Sequence, residues 1–450
     1  MSSYDEVKKK LIKGWNTWNT RSVLSHVLLP EGFALNLGIK EYKDGSYLKE
    51  ALIGRHNEVI SPSHQDKSVE VIHPGPHAYD GSYTELNLKW RGIEVTVQSA
   101  TEGNDIVILV TPLANQKYPA SLVLESGILW NREGSIIRER DSIVGVFPGR
   151  IIPVYITKEE IFSPNIPAQT PYFTVVLNGP VGVSTGTRRS IDDISMIINK
   201  NRLAHNARKD QFGELAEVYN AMQTCMAWNT IYEPEKDRVI TTVSRIWNVN
   251  LGGYGIFCWD NYFAAYMASL DSRELAYSNA IEITRLKTKD GFGPNGAWET
   301  GFVSLDRSEP PVGSMVVREL YRKFGDRWFL ELLYDDLYDW NTWYINKRGL
   351  GNGLLALGSD PYEPIFGNYW ETAGVGSTFG GALEAGLDNS PMYDDIPFNS
   401  SRNTMELADT GLTSLIIMDC KALADIAEIL GKKADASELR ERAKRCSIGL

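Results

Sequence analysis

The hydrophobic rhythm of this chain changes once, near residue 190, and that change limits what it can fold into. From about residue 21 to 190, apolar residues recur at every second position, the period of a half-buried strand. Residues 33–39, 85–90, 93–97, 106–110, 121–125, 151–156 and 172–177 each read as a strand. Arg91-Gly92 separates two of these runs and predicts a hairpin. Many short strands between Gly, Pro and Asn turns, with no long helix, predict an antiparallel β-sandwich.

Between residues 189 and 213 the texture shifts. Ser190 followed by Asp192 and Asp193 is a helix start, and the basic stretch with Lys200, Arg202, Arg208 and Lys209 continues it. This segment reads as a linker helix. From residue 214 the period is helical, with helices expected over 215–222, 263–270, 275–284, 327–345, 403–430 and 434–446. The expected plan is therefore a sandwich domain (1–188), a linker helix (189–213) and a helical domain (214–450). Helices around a centre with elaborate loops at one end describe an α/α toroid or bundle with its site in the loops.

Charge narrows the function. A net charge of −11 over 450 residues argues against nucleic acid and against anionic membranes as partners. It also disfavours a polyanionic substrate. The four cysteines contain no Cys-x-x-Cys pair, so they predict buried thiols rather than a zinc site or a disulfide framework. The first residues carry no apolar stretch of the kind that addresses a chain for export, so a cytoplasmic location is expected. His56, His64, His73 and His77 fall in what reads as loops, and their spacing matches no familiar metal-ligand set. Trp15 and Trp18 read as packing residues.

Three loop segments carry chemistry. The first contains Trp259-Asp260, where a ring can stack on a sugar face while the acid accepts hydroxyls; a helix cap explains Asp260 equally well. The second runs to Asp306-Arg307-Ser308-Glu309-Pro310-Pro311, whose prolines make a rigid turn able to present Arg307 and Glu309. The third is 384–391, Glu-Ala-Gly-Leu-Asp-Asn-Ser-Pro, approached through Trp370, Glu371 and Gly380-Gly381. Taken alone, Asp388 fits a helix or turn cap better than an acid catalyst. Eight of the twelve tryptophans lie between residues 228 and 370, which favours a sugar-binding cleft in the helical domain.

The order Trp-Asp, Arg-Ser-x-Pro-Pro and Glu-x-Gly-x-Asp-Asn-Ser resembles glycoside hydrolase family 63, which includes processing α-glucosidases and hydrolases of glucosylglycerate and mannosylglycerate. The resemblance implies an N-terminal β-sandwich, an (α/α)6 barrel and inverting hydrolysis of α-glucosides or α-mannosides. It implies Asp388 as general acid and Trp259 with Asp260 as the glycone-binding pair, and it places Arg307 in a substrate loop. Glu309 stands where the family has Gln. Leu383-Glu384-Ala385-Gly386 stands for Trp-Glu-Ser-Gly, so the stacking ring is lost there and Trp370 is a candidate replacement. Glu309, Trp370 and Glu384 complete the expected substrate contacts.

Inversion requires a second carboxylate, ~6.5–9.5 Å from the first, to activate water. In the family it lies far downstream of the acid. About half the helices of a twelve-helix barrel are legible here, so that base is expected beyond residue 450. Within the chain its candidates are Glu309, Glu371 and Glu384. Burial, or a neighbour such as Glu384 or Asp394, is expected to hold the proton on Asp388. No cofactor is called for, and a structural calcium is left open. Two other readings use the same features: a non-catalytic carbohydrate-binding protein, and a sugar isomerase or epimerase. The latter would want catalytic histidines, and only His205 lies beyond the β-region, ahead of the helical domain.

Overall fold

A two-residue turn at Arg91-Gly92 joins Tyr83–Trp90 to Ile93–Glu102, with Trp90 opposite Ile93. Both turn residues have positive φ (49° and 79°), the backbone that matches strand twist in a tight hairpin. The computed structural model describes residues 3–53, 70–113, 118–163, 165–247, 253–366 and 372–450. They divide into two compact units, Lys9–Arg238 and Val239–Leu450, the second joined by Met1–Lys8.

In the first unit an antiparallel sheet of eight strands runs, in spatial order, Ser135–Arg138, Ile143–Phe147, Arg150–Ile156, Val181–Thr185, Asp105–Pro112, Ile93–Glu102, Tyr83–Trp90 and Val71–His77. A second sheet contains Gly14–Asn16, Ser25–Leu29, Phe33–Glu41, Ala120–Ile128 and Tyr172–Val176, with Tyr47–Leu48 paired to Phe33–Glu41. Leu35, Leu37, Leu122 and Leu124 of one sheet share a buried core with Leu88, Val95, Val97 and Ile108 of the other. Burying each such side chain contributes about 1.5–3 kcal/mol. The period-two reading therefore holds, and Trp15 and Trp18 are buried as packing residues.

The domain boundary differs from the expected one. Helix Ile191–Asp210 starts in a full capping box between Ser190 and Asp193. It does not bridge domains: Ile194, Ile197 and Ile198 bury against Tyr83, Ala100, Val107 and Leu109. The eight-stranded sheet has an apolar second face, and the helix covers it. The next helix, Ala216–Asn229, also belongs to this unit. Its Trp228 enters the sandwich core and donates its indole N–H to the Gly75 carbonyl at 2.8 Å. His73 and His77 lie on a strand rather than in loops. His77 is fully buried between Thr17 Oγ1 and the Ala78 carbonyl, both 2.8 Å away, with Trp228 edge-on at 4.6 Å. His56 and His64 lie outside the described residues.

In the second unit three consecutive helix pairs pack on each other: Cys258–Ala268 with Arg273–Thr284, Gly313–Phe324 with Arg327–Arg348, and Thr410–Leu430 with Lys433–Gly449. Gly325, at φ +76°, closes one helix before the next begins. Residues 403–409 are not helical; Asp409 caps the later start by accepting the Leu412 N–H. Tyr4 anchors the N-terminal residues here, donating to Glu282 at 2.7 Å. None of the described helices is long and apolar enough to cross a membrane.

Candidate active site

Helix Cys258–Ala268 follows a short strand, Gly255–Phe257, paired with Gly296–Trp298. Its first-turn N–H groups have no partner inside the helix. The Trp259 N–H is satisfied by Glu309, whose Oε2 accepts it at 2.8 Å. A carboxylate at this position is favoured by the helix dipole. Burial nevertheless dominates and pushes Glu309 well above the usual carboxylate range. The charges of Asp260 and Asp388 push the same way, against the Trp259 N–H and Arg307. Burial also raises Asp260, offset in part by its own backbone N–H and by the Trp259 indole.

The loop that carries Glu309 is buried throughout from Asp306 to Val312. Arg307 does not project from it but pairs with Asp306 at 2.9 Å, and both are 1% exposed. Ser308 ties the loop down, donating to the Gly293 carbonyl and accepting the Trp340 indole N–H at 2.8 Å. The Tyr344 hydroxyl donates to the Glu309 carbonyl.

Glu384 ends the helix Thr378–Glu384 and is fully buried. Arg348 grips it with two hydrogen bonds, Nε to Oε2 at 2.7 Å and Nη2 to Oε1 at 2.8 Å. The Ser308 and Gly358 N–H groups complete its shell at 3.1 and 2.7 Å. Its expected role as a substrate contact is therefore corrected: with four donors and no exposure, it has no lone pair left for a sugar. The chain then turns at Gly386, φ +66°, where an added Cβ would overlap the Trp259 indole. Asp388, two residues on, is exposed rather than buried. Asp394 and Asp395 are exposed as well. Trp370 and Glu371 lie outside the described residues.

Residues 253–450 match the mannosylglycerate hydrolase MGH1-like glycoside hydrolase domain. The match covers the three loop segments that carry the resemblance in sequence. No curated protein matches the chain. Among solved structures, the chain is similar to a bacterial glucoamylase complexed with acarbose, at 12% identity and TM-score 0.43. That similarity covers 96% of this chain and 66% of the glucoamylase. It is also similar to a GH92 family glycosyl hydrolase at 12% identity and TM-score 0.37, covering 98% of this chain and 63% of the other. The chain thus spans just under two thirds of the length of each.

Within the matched residues the fold brings Trp259, Asp260, Glu309 and the Gly386–Asp388 turn together. It holds Arg307 and Glu384 beneath them as supports. The tryptophan cluster divides. Trp298, Trp340 and Trp343 are core residues, and Trp228 belongs to the sandwich. Trp259 remains partly exposed, and Trp247 is 42% exposed with its ring 4.8 Å from Phe257. Sequence reasoning missed Asp306, Ser308 and Arg348. The adjacency of Asp306 to Arg307 was a usable signal for one. Arg348 had none, because it meets Glu384 from the end of a helix 36 residues earlier.

Proposed function

We propose that this chain is an inverting glycosidase acting on α-glucosides or α-mannosides, with Asp388 as general acid and its helical unit part of an (α/α)6 barrel. The observation that carries the reading is the contact between the Asp388 turn and Trp259. Gly386 lies against the indole, so an exposed carboxylate, a partly exposed ring and the Asp260 carboxylate share one small region. A pyranose at Trp259 has Asp260 for its hydroxyls and Asp388 for the glycosidic oxygen. Protonating that oxygen lets the bond to the anomeric carbon break, and water attacks from the opposite face, giving up its proton to a second carboxylate that acts as general base. Neither Glu309 nor Glu384 suits the role of base: burial pushes the first well above the usual carboxylate range, and the second is locked to Arg348. The domain match supports a glycosidase, and the glycerate-linked mannoside in the family's description makes α-mannosides the first substrates to try.

The test is hydrolysis of aryl α-mannosides and α-glucosides, with the freshly released sugar followed by NMR. The β anomer should appear first. Asp388→Asn should lower kcat roughly 10²–10⁴-fold while binding persists. Release of the α anomer first, or unchanged turnover in the variant, would sink the assignment.

A further inference from the structure

Glu309 is an acid with no cation committed to it. Its side chain is 2% exposed. Oε2 takes the Trp259 N–H, and Oε1 has no hydrogen-bond partner among the described residues. The groups that face it come from three elements. Helix Cys258–Ala268 contributes Asp260 and the Cys258 thiol, and the turn after Glu384 contributes Asp388. Its own loop contributes Arg307, whose guanidinium pairs with Asp306. Two acidic side chains and a buried thiol thus lie within electrostatic reach of the buried Glu309 carboxyl. When two such groups compete, the better solvated one ionises first and its charge then holds the proton on the other. Asp260 is more exposed than Glu309.

We propose that Glu309 serves the site as an uncharged carboxylic acid, donating a hydrogen bond from its free oxygen to a sugar hydroxyl seated beside Trp259 and Asp260. It is a binding and specificity-determining residue, not the proton donor to the leaving group. Asp260, ionised, accepts from the sugar; Glu309, neutral, donates to it. A hydroxyl placed between them is read as donor and acceptor at once, whereas a deoxy sugar leaves both groups unpaired. The inference rests on the glycosidase reading for its ligand, but its protonation state stands apart from catalysis.

The two parts are tested separately. Infrared difference spectra of wild type and Glu309→Gln near neutral pH should show the carbonyl stretch of a protonated carboxyl that the variant lacks. Titration calorimetry with methyl α-mannoside and methyl α-glucoside then reads the donor. Wild-type affinity should fall as pH rises and Glu309 ionises. Glu309→Gln keeps a donor, so its affinity should lose that pH dependence. Glu309→Leu should bind about tenfold more weakly than Glu309→Gln, also without pH dependence. Absence of the carbonyl band overturns the proposal outright. So does a Gln variant as weak as the Leu variant. Failure of wild type to bind either glycoside overturns the donor role. If wild type binds but releases no sugar from aryl glycosides, the glycosidase reading fails alone.

Discussion

Arg348 and Glu384 meet in a bidentate ion pair with neither side chain exposed to solvent, at 2.7 and 2.8 Å. The pair joins the end of a 22-residue helix to the end of the short helix that leads into the Asp388 turn. Through the Ser308 N–H, the same carboxylate also fixes the loop that carries Glu309. Glu384→Ala should therefore cost about 3–5 kcal/mol, because it strands a buried guanidinium and two N–H groups. Denaturant unfolding of the helical unit measures this. A loss under about 1 kcal/mol would show that water or local relaxation replaces the pair.

Gly386 sits under the Trp259 indole in left-handed backbone. Gly386→Ala should cost about 1–3 kcal/mol through strain and displace the ring. Trp259 fluorescence and sugar affinity should change together. A variant that loses stability with wild-type sugar affinity would separate the turn from the site.

Asp419 is buried in helix Thr410–Leu430, and burial pushes its carboxyl up to about 6, opposed by bonds from Ser314 and Asn341. Its folded value lies above the unfolded value of about 3.9, so folding favours the neutral form. Stability from this group is full below about pH 3.9, declines as pH rises to about 6, and is flat beyond. Asp419→Asn keeps an acceptor for Asn341 without a charge to bury. Relative to wild type it should gain up to about 3 kcal/mol at pH 8 and nothing near pH 3.5. Unfolding curves at the two pH values decide it; an equal difference at both would place the effect elsewhere.

Local features were legible because their causes are local. The Arg91-Gly92 hairpin, the Ser190–Asp193 capping box and the long helix from Arg327 follow from turn chemistry, capping and periodicity within a few residues. The order of three short motifs pointed to the glycoside hydrolase domain that residues 253–450 match. Contacts across long stretches of chain were not legible. Nothing near residue 190 says that a helix with Ile194 and Ile198 will cover the back of a sheet rather than link two domains.

Carboxylates show the division most sharply. In sequence, Asp260, Glu309, Glu384 and Asp388 are four acids in loops with equal claim on a sugar. Their residue types and spacing pointed to an acid-rich, ring-bearing region. Only tertiary structure decided what each acid faces. Arg348 arrives from a distant helix and takes up the Glu384 carboxylate. A helix N-terminus and a dry loop hold Glu309, and a left-handed glycine leaves Asp388 at the surface. A carboxyl group's proton and partners depend on the dielectric and charges within a few ångströms, and those are assembled by packing rather than by neighbours in sequence.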